Sequence, residues 1–354
     1  MIAPVSPHAA ELPLADAARG HLGDALYRYV LGMPATAEDA NAAAFNRYRL
    51  IPRVMTGQAG VDIRASLCGK VFAAPLAVGA FAADRVLHDA GLLPVARVCQ
   101  RLGLPLMISE ETVTPLADIA AAHDGCWLQL RAAGSLDRAR RLAEAASRCG
   151  VSGIILTVLA PAHPTEGSQP GGYSIGAEIA RRGWSTIGAE GAPGIGTVAA
   201  WPQWRWADIR ALAADLAALG LPLIVKGVLR PEDAGHAAEA GCCGIIVSNI
   251  GLRQCRRWVL PLDCLAEIRP AAVGAVMLDG GIRSGVDALV SCCLGADLVV
   301  AVRPVVTALA GGGEAAVMGL LKGWLDEMVA VASWLGVARL AELDASYLRA
   351  SNEG

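Results

Sequence analysis

The sequence predicts an α/β fold: a (β/α)8 TIM barrel with an N-terminal helical extension and a long loop after the fourth strand. Three observations carry this reading. From about residue 74, eight short β-branched runs alternate with longer Ala/Leu/Arg stretches of helical period. The chain has 354 residues, a length that one large α/β barrel fills without splitting. Hydrophobic residues make up 54% and aromatic residues 5%, which suits buried parallel strands packed against Ala-rich helices. An open doubly wound sheet is the competing architecture on pattern alone.

Taken in order, residues 1–73 read as a helical lead-in ending in a short hairpin around VDIRASLCGKVF. Residues 74–354 read as the barrel, and the two parts as one structural domain. The strand runs are APLAVGA (74–80), LPLMIS (104–109), CWLQLR (126–131), GIILTV (153–158), PLIVKG (222–227), GIIVSN (244–249), GAVMLDGG (274–281) and DLVVAV (297–302). Residues 164–204 break the rhythm with Gly and Pro and end in WPQWRW. Placed after the fourth strand, they should emerge at the carboxyl rim, where a loop of that length reads as a lid. The stretch from Glu314 to Leu343 reads as amphipathic helices closing the barrel.

The bulk charge excludes some partners. A net charge of -3 with no block of like charge argues against nucleic acid. No charge-free apolar run reaches roughly 18 residues, the length of a membrane span. The segment from Val290 to Leu309 comes closest, interrupted by Asp297 and Arg303. The first residues show no basic start followed by an apolar stretch, so the expectation is a cytoplasmic protein. None of the ten cysteines lies in a C-x-x-C pattern or at zinc-finger spacing from a histidine. No metal is expected, and the cysteines read as small packing residues.

In a barrel, polar residues at strand carboxyl ends are the candidates for chemistry, because inward positions below them are apolar core. Here those ends carry Ser109, Gln129, Thr157, Lys226, Ser248-Asn249 and Asp279-Gly280-Gly281. The last two strands run into LDGGIRSG (278–285) and VVAVRP (299–304). Glycines there let backbone N–H groups approach a phosphate, and Arg283 and Arg303 supply cationic forks. An ordinary tight turn with surface arginines is the bland alternative.

Several landmarks occur together in order: IPRVM (51–55), PLIVKGVLRPEDA (222–234), IIVSN-x-G-x-RQ (245–254), DGGIRSGVDA (279–288) and RPVVTALAGGGE (303–314). Through them the chain resembles the FMN-dependent 2-hydroxy-acid oxidase/dehydrogenase family, which includes glycolate oxidase, lactate oxidase and mandelate dehydrogenase. The resemblance runs from about Asp24 to Leu343. It implies FMN as cofactor, a small-molecule substrate and a homo-oligomer, by family habit a tetramer. It places flavin contacts at Ala80, Phe81, Ala82, Ser109, Gln129, Thr157, Lys226 and Ser248. The ribityl-phosphate grip falls on Asp279, Gly280, Gly281, Arg283 and Arg303. Phe81 stands where the family has a small polar residue, and Val302 where it has a phosphate-loop glycine.

The substrate side departs further. The family's Ser-Asn-His-Gly-Gly-Arg-Gln reads Ser248-Asn249-Ile250-Gly251-Leu252-Arg253-Gln254 here, so isoleucine replaces the catalytic histidine. The aspartate that orients that histidine is Leu159, and the tyrosine two residues after Gln129 is Arg131. Arg253, the carboxylate clamp, remains. Tyr27 or Tyr29 matches the family's N-terminal substrate tyrosine. Glu111, beside Glu110, and His163 are the candidates for a substitute base. Arg131 either joins Arg253 over the flavin, suiting an anionic ligand, or pairs with Glu110, Glu111 or Glu166. Three functions follow from these departures: an FMN oxidoreductase with a remodelled site acting on a non-standard, anionic substrate, a conventional 2-hydroxy-acid oxidoreductase with a substitute base, or a non-catalytic flavin- or partner-binding protein.

Overall fold

The computed structural model describes residues 7–32, 39–159, 172–189 and 204–351, with side chains from residue 14 onward. Eight parallel strands close into a barrel: β1 (Leu76–Val78), β2 (Leu106–Ser109), β3 (Cys126–Arg131), β4 (Gly153–Thr157), β5 (Leu223–Val228), β6 (Gly244–Ser248), β7 (Ala275–Asp279) and β8 (Leu298–Ala301). Each matches one of the eight sequence runs, with β5 running one residue past its run to Val228. Closure comes from β8 pairing with β1, Val299 opposite Leu76 and Ala301 opposite Val78. An open sheet is thereby excluded.

Alternation along the strands divides the apolar residues between two cores. Ala77, Met107, Trp127, Ile155, Ile224, Ile246, Met277, Leu298 and Val300 point inward and fill the barrel. Their neighbours, such as Leu76, Leu128, Ile154, Val225 and Leu278, point outward under the helices. The predicted hairpin forms from Ala65–Leu67 and Lys70–Phe72, and its Leu67 and Phe72 join the inward set. It therefore plugs the amino-terminal mouth. Trp127 is the largest side chain in the interior, and Gly153 makes room for it. A β-carbon at Gly153 would lie 2.3 Å from the indole and 2.8 Å from the Pro222 carbonyl.

The hairpin corrects the reading of the cysteines. Cys68 at its turn is disulfide-bonded to Cys243, the residue before β6, across 175 positions and a Cα–Cα distance of 5.8 Å. Tertiary proximity created this pair, and no local spacing announces it. The other eight cysteines are unpaired, with Cys99, Cys126, Cys242, Cys292 and Cys293 buried as expected of packing residues.

Among the described residues, one helix is long and apolar enough to cross a membrane, Arg303–Leu335. The apolar stretch noted in the sequence, Val290 to Leu309, instead spans a helix end, β8 and the start of this helix. Gly312 and Gly313 leave helical geometry and break the long helix in two. Beyond the break, Val317, Leu321, Trp324, Met328, Ala332 and Leu335 are buried at helical spacing. Its first half crosses the N-terminal helix Pro7–Leu31 so closely that a β-carbon on Gly311 would lie 2.5 Å from the Leu14 carbonyl. A two-stranded antiparallel ribbon pairs Tyr48–Leu50 with Leu348–Ala350.

Two measurements check this packing. Gly153→Ala should cost about 1–3 kcal/mol through overpacking, seen as a lower Tm, and Trp127→Leu in the same chain should recover part of the loss. Alkylation of the unfolded, unreduced protein should modify eight cysteines by mass, and prior reduction should raise the count to the full ten.

Candidate functional site

At the carboxyl rim the strand ends surround one cavity. Its wall includes Ala80, Phe81 and Ala82 after β1, Ser109 at the end of β2 with Glu110 and Glu111 beyond it, and Gln129 and Arg131 on β3. Thr157, Lys226, Asp279, Gly280, Gly281, Arg283, Arg253 and Arg303 also line it. Of the cofactor positions read from the sequence, Ser248 alone lies behind this surface, fully buried. His163 lies outside the described residues.

The polar groups satisfy one another in three clusters. Lys226 Nζ donates to Asp279 Oδ2, and Ser248 Oγ donates to the same oxygen at 2.8 Å, so β5, β6 and β7 are tied at their ends. Gln129 Nε2 donates to Thr157 Oγ1 at 2.6 Å, joining β3 to β4. Beyond β2, Arg131 donates from its backbone N–H to Glu110 Oε1 at 2.9 Å and from its guanidinium to Glu111. Arg138 Nη2 donates to Glu110 Oε2 at 2.5 Å, and Arg131 and Arg138 thus hold the buried Glu110 between them. Burial of the Arg131 guanidinium works against its charge, but the carboxylates of Glu111 and Glu110 outweigh it and raise its pKa. Arg131 thus pairs with Glu110 and Glu111 while also lining the cavity, and Glu166 lies outside the described residues.

Arg253 is placed differently. Its guanidinium stacks 4.9 Å from the centre of the Tyr29 ring, and Nη2 donates to the Val30 carbonyl at 2.9 Å. Nη1 is buried with no hydrogen-bond partner. Burial lowers the Arg253 pKa, opposed by Tyr29 and reinforced by the like charge of Arg303. Tyr29 rather than Tyr27 lines the cavity, and burial raises its hydroxyl pKa. Tyr173 leans on the same ring at 5.7 Å, and Ile175 joins the cavity wall, so the described part of the long loop contributes to the site's wall. Trp204 and Trp206 do not, and Trp201 lies outside the described residues. Trp204 bonds the Gly134 carbonyl, and with Trp206 and Leu159 it lines a separate cavity on the flank.

The loop carrying Arg253 is strained. Ile250, Gly251 and Leu252 all have left-handed φ, 54°, 63° and 59°, and only one of them is glycine. Ile250 lines the cavity with an apolar side chain. Val302, by contrast, has φ −126°, so its turn never needed a glycine. The cost of its side chain falls on Gly79, where a β-carbon would lie 2.4 Å from Val302 Cγ2.

Residues 18–350 match the family described as FMN-dependent dehydrogenase. The chain belongs to the FMN-dependent dehydrogenase family. Human 2-hydroxyacid oxidase 1 is 31% identical over 330 residues, covering 87% of each chain. The 4-hydroxymandelate oxidase of Amycolatopsis orientalis is 32% identical over 327 residues, covering 89% of this chain and 91% of its own. A crystal structure of mandelate oxidase with (S)-2-phenylpropionate superposes with a TM-score of 0.80 at 31% identity, covering 96% of this chain and 98% of that one.

The family's cofactor is FMN, and the site suits its chemistry. Two guanidiniums converge at one end, amide and hydroxyl groups line the middle, and a buried lysine stands at a strand end. Three participants escaped the sequence reading. Arg138 lies on the buried face of a strongly amphipathic helix, whose pattern marks packing and not a partner at the rim. Asp39 and Asn41 lie in the N-terminal lead-in, where an acidic cap before an Ala-rich turn was the only sign. Asn41 exchanges side-chain hydrogen bonds of 2.9 Å with Asn249, and its carbonyl approaches Gly281 so closely that no β-carbon fits there.

Arg138→Met should destabilise the fold by about 3 kcal/mol in denaturant unfolding, because Glu110 is left under-compensated. Adding Glu110→Gln should cost less than the sum of the two single changes.

Proposed function

We propose that this chain is an FMN-dependent oxidoreductase with a remodelled active site, acting on a small substrate that carries one carboxylate. The observation that supports it is the buried, unpartnered Nη1 of Arg253 on the cavity wall. A buried guanidinium N–H without an acceptor is costly, and a carboxylate oxygen satisfies it with a charge-assisted bond. Arg131 and Lys226 already bond carboxylates of the chain. That favours one substrate carboxylate over two.

FMN, when bound, supplies the hydride-accepting chemistry. Ala80, Phe81, Ala82, Ser109, Gln129, Thr157 and Ser248 would hold its ring, and Lys226 would set a positive charge beside it. Asp279, with Gly280 and Gly281, would meet the ribityl chain, and Arg283 and Arg303 the phosphate. Arg253 would orient the substrate through its carboxylate, with Tyr29 stacked on the guanidinium to fix its plane. The stacked Tyr173 and Ile175 narrow access for water.

The position of the family's base offers no proton acceptor, since Ile250 occupies it. Glu111 is committed to the Arg131 guanidinium, a poor arrangement for taking a proton from carbon. A general base contributes roughly 10²–10⁴-fold, so ordinary 2-hydroxy acids should react slowly or not at all. The remodelled site instead suits a substrate whose reaction needs no histidine base.

Anaerobic visible spectra test this reading. We expect a flavin band that glycolate, lactate and mandelate leave unbleached, but that an unreactive carboxylate perturbs; Arg253→Met should abolish the perturbation. Rapid bleaching by those hydroxy acids would sink the remodelled-site reading. A chain that retains no flavin after incubation with FMN would sink the enzyme reading altogether.

A further inference from the structure

Asp39 stands where the cofactor's phosphate is expected. Its Oδ2 accepts from Arg283 Nη2 at 2.5 Å and from Arg303 Nη1 at 2.8 Å. The two arginines come from different loops, one after β7 and one after β8, and both line the cavity. They converge on a single carboxylate oxygen, as they would on one oxygen of a phosphate. The side chain is only 12% exposed, so the pairing is shielded from solvent rather than a surface contact.

We propose that Asp39 is a built-in anion seated in the phosphate grip, which neutralises Arg283 and Arg303 in the cofactor-free chain and opposes the binding of FMN. The inference rests on the reading that these two arginines hold the FMN phosphate. Charge gives the sign. Two guanidiniums match a phosphomonoester, which carries nearly two negative charges at neutral pH. A third negative charge within hydrogen-bonding distance of the same arginines leaves the cluster over-compensated. Whether the carboxylate swings away or stays beside the phosphate, it weakens the complex.

The surroundings make the exchange local. Asp39 caps the short helix Ala40–Ala43, its Oδ1 accepting from the Asn41 N–H at 3.1 Å. That helix stays anchored independently, through the paired amides of Asn41 and Asn249. Arg303 keeps a second hold through Nη2, which donates to the Gly251 carbonyl at 2.5 Å. Losing Asp39 therefore need not release the loop that carries Arg253. The seat thus sets how tightly the cofactor is kept without touching the substrate side.

The test compares FMN with riboflavin, which lacks the phosphate, on the full-length chain freed of flavin, by quenching of flavin fluorescence. Asp39→Asn preserves the helix cap and removes the charge. Asp39→Ser also caps but is too short to reach both arginines, and guards against a folding defect in the first variant. Both should tighten FMN on the order of tenfold or more and leave riboflavin unchanged. Weaker FMN binding in the variants would overturn the proposal, making Asp39 a support for the arginines. So would an unchanged FMN affinity, or an equal shift for both flavins. If the unaltered chain binds riboflavin as tightly as FMN, the phosphate grip itself is wrong and the inference falls with it.

Discussion

Everything at the site depends on closure of the parallel sheet. Pairing of β8 with β1 turns eight strand ends into a ring, and side chains distant in sequence then face a common centre. Closure demands a filled interior, and the filling is specific. Trp127 occupies space that Gly153 leaves, and Leu67 and Phe72 of the hairpin stop the far mouth. The disulfide from Cys68 to Cys243 secures that stopper to the wall. A rigid apolar plug below lets the rim above be polar.

At the rim the governing constraint is charge. Lys226 is matched by Asp279, Arg131 by Glu110 and Glu111, Arg138 by Glu110, and Arg283 and Arg303 by Asp39. A buried charge without a partner is costly, so each of these cations meets a carboxylate, Arg131 and Arg138 sharing Glu110 and Arg283 and Arg303 sharing Asp39. Arg253 departs from the pattern: it leans on an aromatic face and a carbonyl and leaves Nη1 unmet. The electrostatic demand of the cavity therefore converges on one guanidinium.

The loop from Ile250 to Leu252 shows backbone and side chain following different constraints. Three consecutive residues are left-handed, and the two with bulky side chains, Ile250 and Leu252, cost of order 1–3 kcal/mol each. Anchors hold the shape: Ile250 N–H to Ser248 Oγ at 3.1 Å, Arg303 to the Gly251 carbonyl, and Asn249 to Asn41. That conformation keeps Arg253 on the cavity wall beside the apolar side chain of Ile250.

The sequence by itself determined the barrel, because strand periodicity and turn residues are local properties repeated eight times. It also determined the ring of polar strand ends, since position along a strand decides which residues reach the rim. The departures that the resemblance implies were legible there too, Ile250 from inside a motif and Leu159 and Arg131 by their spacing from Thr157 and Gln129. Tertiary structure alone decided the partners. Which carboxylate meets Arg131, which tyrosine stacks on Arg253, that Leu159 faces the flank, and that Cys68 joins Cys243 are all matters of distance between remote segments. Asp39 is the clearest case. Locally it is a helix cap, and only the folded chain brings it between two arginines from the last two loops of the barrel.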